Sequence, residues 1–280
     1  MEHEIEVLFK TFMPEKYEKT KISDLLSNPD YGRYFISKLR KKYSTRETEG
    51  VSIVTCTNKP HCMENIFQNY QNQSWEEKEL IVILNNDGMD IPAWKRIARC
   101  YKNVHLYQLP QEMSLGRCYN FSVNKAQYGY IATFDDDDYY APNYLTDLMH
   151  AFQYTDADIV GKATYFVYLE EKQILALRNP YQEYTYLYEG SFLDGGKKIV
   201  KRKVFDQVQF KDVSNLEDVF FCQDCMRKGF KIFSADKYNL TYIRQPNKAH
   251  HTWKEEDDKI LSWGCLILSH TDDYKTMVTL

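Results

Sequence analysis

Residues 128–142 read YGYIATFDDDDYYAP. An apolar run stops abruptly at four consecutive aspartates, Asp135 to Asp138, and PNYLTDLMHAFQ follows with helical spacing. The apolar run predicts a buried strand, so the carboxylates fall between a strand end and a helix. An acidic run is usually a solvated loop or a complement to a helix dipole. At the end of a buried strand, adjacent like charges cost stability unless something cationic binds them. A divalent ion carrying phosphates is such a partner, because hard cations take oxygen ligands and often complete their shell with substrate phosphates.

The same grammar repeats upstream. VSIVTC, from residue 51, predicts a buried strand. The following segment has Met63, Ile66, Phe67 and Tyr70 on one helical face. KELIVILNND and NVHLYQL predict further strands, IPAWKRIARCY a helix with Pro92 in its first turn, and MSLGRCYNFSVNKAQ a helix capped by Ser114. Strands alternating with helices predict an α/β fold with a mostly parallel sheet covered on both faces. Ligands then bind beyond the carboxyl ends of the strands, where strand order switches. The candidate positions are Thr55 to Lys59, Asn85 to Asp87 and Asp135 to Asp138.

Past residue 158 the pattern is mixed. DADIVGKATYFVYLEEKQILALR predicts strands joined by a hairpin at EEKQ, and KKIVKRKVF a short strand and a helical turn. NLEDVFFCQDCMRKG predicts a helix closed by Gly229. No linker separates the halves, which predicts a shared sheet. The expected organisation is a helical extension over 1–48, a main domain over 49–253 divided at 157/158, and a C-terminal helix and tail over 254–280. The helix is expected over 253–268, with 270–280 an unstructured end or a connection to a further domain.

The bulk numbers exclude several classes. A formal net charge of −4 lacks the basic excess that nucleic-acid binding needs. Seven irregularly spaced cysteines do not make a disulfide framework and fit a reducing compartment. Cys222 and Cys225 lie inside the predicted helix without a second ligand pair, so they read as structural. The N-terminus MEHEIEVLFK has no apolar signal core, and no window approaches the roughly 20 apolar residues of a membrane span. The expectation is a cytoplasmic protein, with a homo-oligomer left open.

The ordered segments VSIVTCTNKP, NQSWEEKELIVILNND, LGRCYNFSVNKAQYGYIATFDDDDYYAP and NLEDVFF resemble family-two glycosyltransferases of the GT-A fold over about residues 50–253. The resemblance implies a Rossmann-like nucleotide-binding half with a mixed central sheet. It also implies an inverting, metal-dependent transfer from a nucleotide-diphosphate sugar, UDP or dTDP first, to an acceptor hydroxyl. Asp137 is similar in position to the metal-binding aspartate of the D-x-D motif, with Mn²⁺ or Mg²⁺ as the ion. Asp135 and Asp136 would lie near ribose and pyrophosphate. Thr55, Thr57, Asn85 and Asn86 would contact the nucleotide, the two amides standing where the family usually has aspartates. Arg117 and Asn120 fall near the usual A-R-N in a changed register.

Asp218 is similar to the general base, with Glu217 orienting the acceptor. A base must sit beside the acceptor hydroxyl, opposite the leaving diphosphate, and a helix N-terminal turn holds a carboxylate rigidly enough. In YIRQPNKAHHTW, His251 or His250 would be a further metal or phosphate contact and Trp253 a sugar-face or lid residue. Gly195 and Gly196 would permit close backbone approach near the donor sugar. A fainter likeness to spore-envelope glycosyltransferases implies sporulation and surface-glycan synthesis. The alternatives are a catalytically weak sugar-nucleotide-binding scaffold, a nucleotidyltransferase, for which TCTNKPH lacks the glycines, and a calcium site, which would want spaced ligands.

Overall fold

A computed structural model describes residues 2–13, 21–44, 49–247 and 255–280. Three helices come first: α1 (Glu2–Phe12), α2 (Ile22–Ser27) and α3 (Pro29–Tyr43). Then β1 (Val51–Thr57), α4 (Met63–Asn72), β2 (Lys78–Leu84), α5 (Ile91–Ala98), β3 (Val104–Gln108), α6 (Leu115–Lys125) and β4 (Tyr130–Thr133) alternate as the sequence predicts. Ser114 caps α6 by accepting from the Arg117 amide, and Asp90 caps α5 with Pro92 in its first turn.

The second half comprises β5 (Tyr139–Tyr140), α7 (Tyr144–Tyr154), β6 (Ile159–Gly161), β7 (Tyr165–Leu169), β8 (Ile174–Arg178), β9 (Thr185–Tyr186) and β10 (Lys198–Lys201). After a 3₁₀ turn over Arg202–Asp206 come α8 (Glu217–Arg227), β11 (Ile232–Ser234), β12 (Leu240–Arg244), α9 (Asp257–Ser262), β13 (Cys265–His270) and α10 (Tyr274–Val278).

Eight strands form a mixed sheet in the order β3-β2-β1-β4-β10-β6-β11-β9. The first four are mutually parallel, and β10 runs antiparallel between β4 and β6. Alternation along β2 shows why both faces are covered. Leu80, Val82 and Leu84 enter one core with α4, α5 and α7. Ile81 and Ile83 enter the other with α6 and α8. A fully buried strand feeds two cores because its side chains alternate in direction. The chain runs outward from β1 through β2 and β3, then returns to place β4 on the other side of β1. That is the switch point, and Thr57 and Asp135 emerge beside it.

The halves share this sheet, as expected, but there is also a second one, of order β13-β8-β7-β12-β5. The N-terminal helices join the main core through Ile5, Phe9, Phe35 and Leu39. Arg40 of α3 pairs bidentately with the buried Asp147 of α7, at 2.7 and 2.8 Å.

The C-terminal expectation is corrected. The helix covers only Asp257–Ser262; Gly264, at φ 76°, then turns the chain into β13, which pairs antiparallel with β8. The apolar run CLILSH fits a strand or a buried helix equally by pattern, and tertiary pairing with β8 resolves it. Residues 274–278 are helical rather than unstructured, capped by Asp273. Among the described residues no helix is long and apolar enough to cross a membrane.

Candidate active site

A cavity of about 680 Å³ opens at the switch point. Its lining includes Thr57 to Lys59 after β1, Asn85 after β2, Asp135 to Asp137 after β4, and Glu217 and Asp218 at the start of α8. The second sheet adds Tyr165, Arg178 and Tyr242.

The four aspartates have four different environments. Asp136 accepts from the Thr57 hydroxyl at 2.6 Å and from Lys59 Nζ at 2.9 Å. Asp137 accepts from the same Lys59 ammonium at 2.7 Å. Asp135 accepts from the Gly196 amide at 3.0 Å and lies 3.5 Å from Lys197 Nζ. Asp138 is fully buried, accepts from the Ile243 amide at 3.1 Å, and lies 3.5 Å from Lys197 Nζ on its other oxygen. The chain therefore supplies two cations of its own to the acidic run. Burial, reinforced by Asp137, pushes the Asp136 carboxyl up to about 6 against the pull of Lys59 and Thr57. Burial works against the Lys59 ammonium too, but Asp136 and Asp137 outweigh it and its pKa is raised.

The turn is held from both sides. From α4, Asn65 donates to the Asp136 and Asp138 carbonyls, and Asn69 donates to the Asp138 carbonyl. The Tyr140 hydroxyl donates to the Gly196 carbonyl and accepts from the Asp135 amide, both at 2.8 Å. Gly196 sits so close that a Cβ there would lie 2.3 Å from the Tyr140 oxygen and 2.4 Å from the Asp135 nitrogen. A side chain has no room at Gly196, because the loop packs directly on Tyr140 and Asp135. Lys198 Nζ donates to the Gly195 carbonyl at 2.7 Å and so pins the same loop.

Across the cavity, α8 begins after Leu216, held at φ 62°. A left-handed leucine is uncommon and strained, and this one immediately precedes the acidic pair. Burial, and then the charge of Asp218, push the Glu217 carboxyl up to about 7. Burial also raises Asp218, opposed by Lys198. Asp218 Oδ1 accepts from the Val219 amide at 2.7 Å, which fixes its rotamer at the helix start.

The family model "Glycosyl transferase family 2" matches residues 52–209, more than half of the chain. The chain belongs to glycosyl transferase family 2. Among solved structures, S. aureus TarS 1–349 in complex with UDP-GlcNAc is similar with a TM-score of 0.56 and 14% identity, covering 76% of this chain and 64% of that one. TarS 1–349 alone gives a TM-score of 0.53 at 14% identity, covering 69% and 60%. The TarS 1–349 complex with UDP gives 0.52 at 15%, covering 70% and 61%. This chain thus spans under two thirds of those TarS chains, and at such identity the likeness establishes the fold, α/β of GT-A type with a mixed central sheet. No curated protein matches the chain.

The cavity gathers Thr57, Asn85, Asp135, Asp136 and Asp137 from the matched residues, and Glu217 and Asp218 from beyond them. Other expected contacts lie elsewhere. Thr55 is buried inside β1, paired in register with Val82, because the strand continues to Thr57. Arg117 is exposed, 3.9 Å from Asp212, and is not in the cavity lining. Asn120 holds Phe210 through both its amide atoms. Asn86 braces the loops, donating to the Asn58 carbonyl and accepting from the Gly88 amide. His250, His251 and Trp253 lie outside the described residues. Cys222 and Cys225 are buried in the α8 face. Lys197, Asn65 and Asn69 are side chains that sequence reasoning missed, and Lys59 lay in the candidate stretch Thr55 to Lys59 without an assigned role. Only the Asn65/Asn69 pair, four apart on α4, carried a local signal.

Proposed function

We propose that the chain is a metal-dependent, inverting glycosyltransferase that moves a sugar from a nucleotide-diphosphate sugar to an acceptor hydroxyl. One observation carries this reading: the carboxylates after β4 and the acidic pair opening α8 line one cavity at the switch point. A UDP-sugar is the favoured donor, because TarS of the same fold was solved with UDP-GlcNAc and with UDP.

Among the described residues, no three His, Cys, Asp or Glu side chains form a preformed metal cage. The site still fits a hard divalent cation of the kind that takes one or two carboxylates and completes its shell with phosphate oxygens. The Lys59 ammonium already stands on the Asp136 and Asp137 oxygens, so this spot collects positive charge. Asp137, with Asp135 nearby, would hold Mn²⁺ or Mg²⁺. When bound, the ion supplies Lewis-acid stabilisation of the departing diphosphate.

The chain's own residues do the rest. Asp218 takes the proton of the acceptor hydroxyl. That oxygen forms a bond to the anomeric carbon while the bond from that carbon to the β-phosphate oxygen breaks, and the diphosphate leaves with the electron pair from the opposite face. Burial makes Asp218 a better base than an exposed aspartate. Glu217 beside it orients the acceptor, and Thr57 and Asn85 meet the nucleotide side. Asp218→Asn keeps donor binding and loses transfer; undiminished transfer would refute the base assignment.

A further inference from the structure

Lys59 holds Asp137, which the proposed reading gives to the metal, together with its neighbour Asp136. Its ammonium lies 2.9 Å from Asp136 Oδ1 and 2.7 Å from Asp137 Oδ2. The pairing is a built one. The Lys59 amide donates to Thr57 Oγ1, and that hydroxyl donates to Asp136 in turn. The lysine side chain is only 16% exposed, and its partners are 7% and 9% exposed.

A divalent ion on Asp137 would share a carboxylate with this ammonium, and two cations at such separation repel strongly in a half-buried site. Lys197 lies deeper and pairs with Asp135 and Asp138, whereas Lys59 stands on Asp137 itself. Both lysines line the cavity on the same flexible four-carbon stem, but Lys59 is the more exposed, 16% against 4%, and so has the more room to change partners.

We propose that Lys59 is an internal counter-cation that occupies Asp137 in the donor-free protein. A divalent ion then gains Asp137 only as the diphosphate arrives, and Lys59 passes to the new anion. This rests on the metal reading above. It makes metal and donor binding mutually dependent: neither is strong alone, because Lys59 neutralises the carboxylates until phosphate oxygens replace them as its partners. With Lys197 on Asp135 and Asp138, it also accounts for the stability of four adjacent aspartates before any ion enters.

The test is Mn²⁺ titration of the full chain, followed by calorimetry or by the electron paramagnetic resonance of free Mn²⁺, with and without UDP. Wild type is expected to bind Mn²⁺ alone at least tenfold more weakly than with UDP. Lys59→Met and Lys59→Gln are both expected to bind Mn²⁺ alone at least tenfold more tightly than wild type, and Lys59→Arg to match wild type. In an Asp137→Asn background the gain disappears. If the neutral variants bind Mn²⁺ as wild type does while Asp137→Asn abolishes binding, the Lys59 role is overturned and the metal site stands. A gain that persists in Asp137→Asn also overturns the role, since it is then general electrostatics. If Asp137→Asn binds Mn²⁺ with UDP as wild type does, the metal assignment fails with it.

Discussion

Replacing Glu217 with Gln should stabilise the protein at alkaline pH and not at acid pH. Glu217 is buried beside Asp218 at the start of α8, and its carboxyl is pushed up to about 7 from an ordinary 4.5. The folded state therefore holds a proton that the unfolded state has released between those values. Where the folded state binds more protons, stability falls as pH rises. The cost is absent below pH 4.5, grows across the window from 4.5 to 7, and is complete above it. The shift corresponds to about 3 kcal/mol at most. Glutamine keeps the shape and removes the titration. Urea unfolding of both proteins at pH 4 and pH 8 measures the effect. The pH 8 minus pH 4 difference should favour Glu217→Gln by about 2–3 kcal/mol, with any lost hydrogen bond cancelling between the two. Asp136, pushed up to about 6, adds the same slope to both proteins and drops out as well. An equal effect at the two pH values would refute the reasoning.

Two further substitutions test the floor of the site. Asp138→Ala leaves the buried Lys197 with Asp135 as its one paired carboxylate and the Ile243 amide without its acceptor; unfolding in urea should show a loss of about 3–5 kcal/mol. Gly196→Ala drives a methyl against the Tyr140 hydroxyl and the Asp135 amide; it should cost about 1–3 kcal/mol in the same assay and weaken UDP binding, read by calorimetry.

The nucleotide-binding half was legible because its signals are local. VSIVTC and KELIVIL are apolar runs whose alternate residues fill two cores, and turns and caps such as Ser114 sit next to the elements they close. The acidic run was legible as a ligand site because it follows β4 directly. Its neutralisation was not, because Lys197 lies 59 residues beyond Asp138 in sequence and meets it only through the antiparallel return of β10. An expectation that only a bound ion relieves the aspartates leaves out Lys59 and Lys197. Thr55 and Arg117 were misplaced for a different reason: a register error of two residues on a strand, or of one on a helix, moves a side chain to another neighbour. Tyr165, Arg178 and Tyr242 reach the cavity from the second sheet, whose pairing of β7 with β12 depends on contacts far apart in sequence.

The most direct measurement compares donor binding and sugar transfer in wild type and Asp218→Asn, using a UDP-sugar with Mn²⁺. Calorimetry should give the variant a UDP-sugar affinity within about threefold of wild type, since Asp218 acts on the acceptor. Transfer to an acceptor should fall by about 10²–10⁴-fold, the usual contribution of a positioned base. Transfer at the wild-type rate, or loss of donor binding together with transfer, would contradict a site in which the β4 carboxylates hold the donor and the α8 carboxylate activates the acceptor.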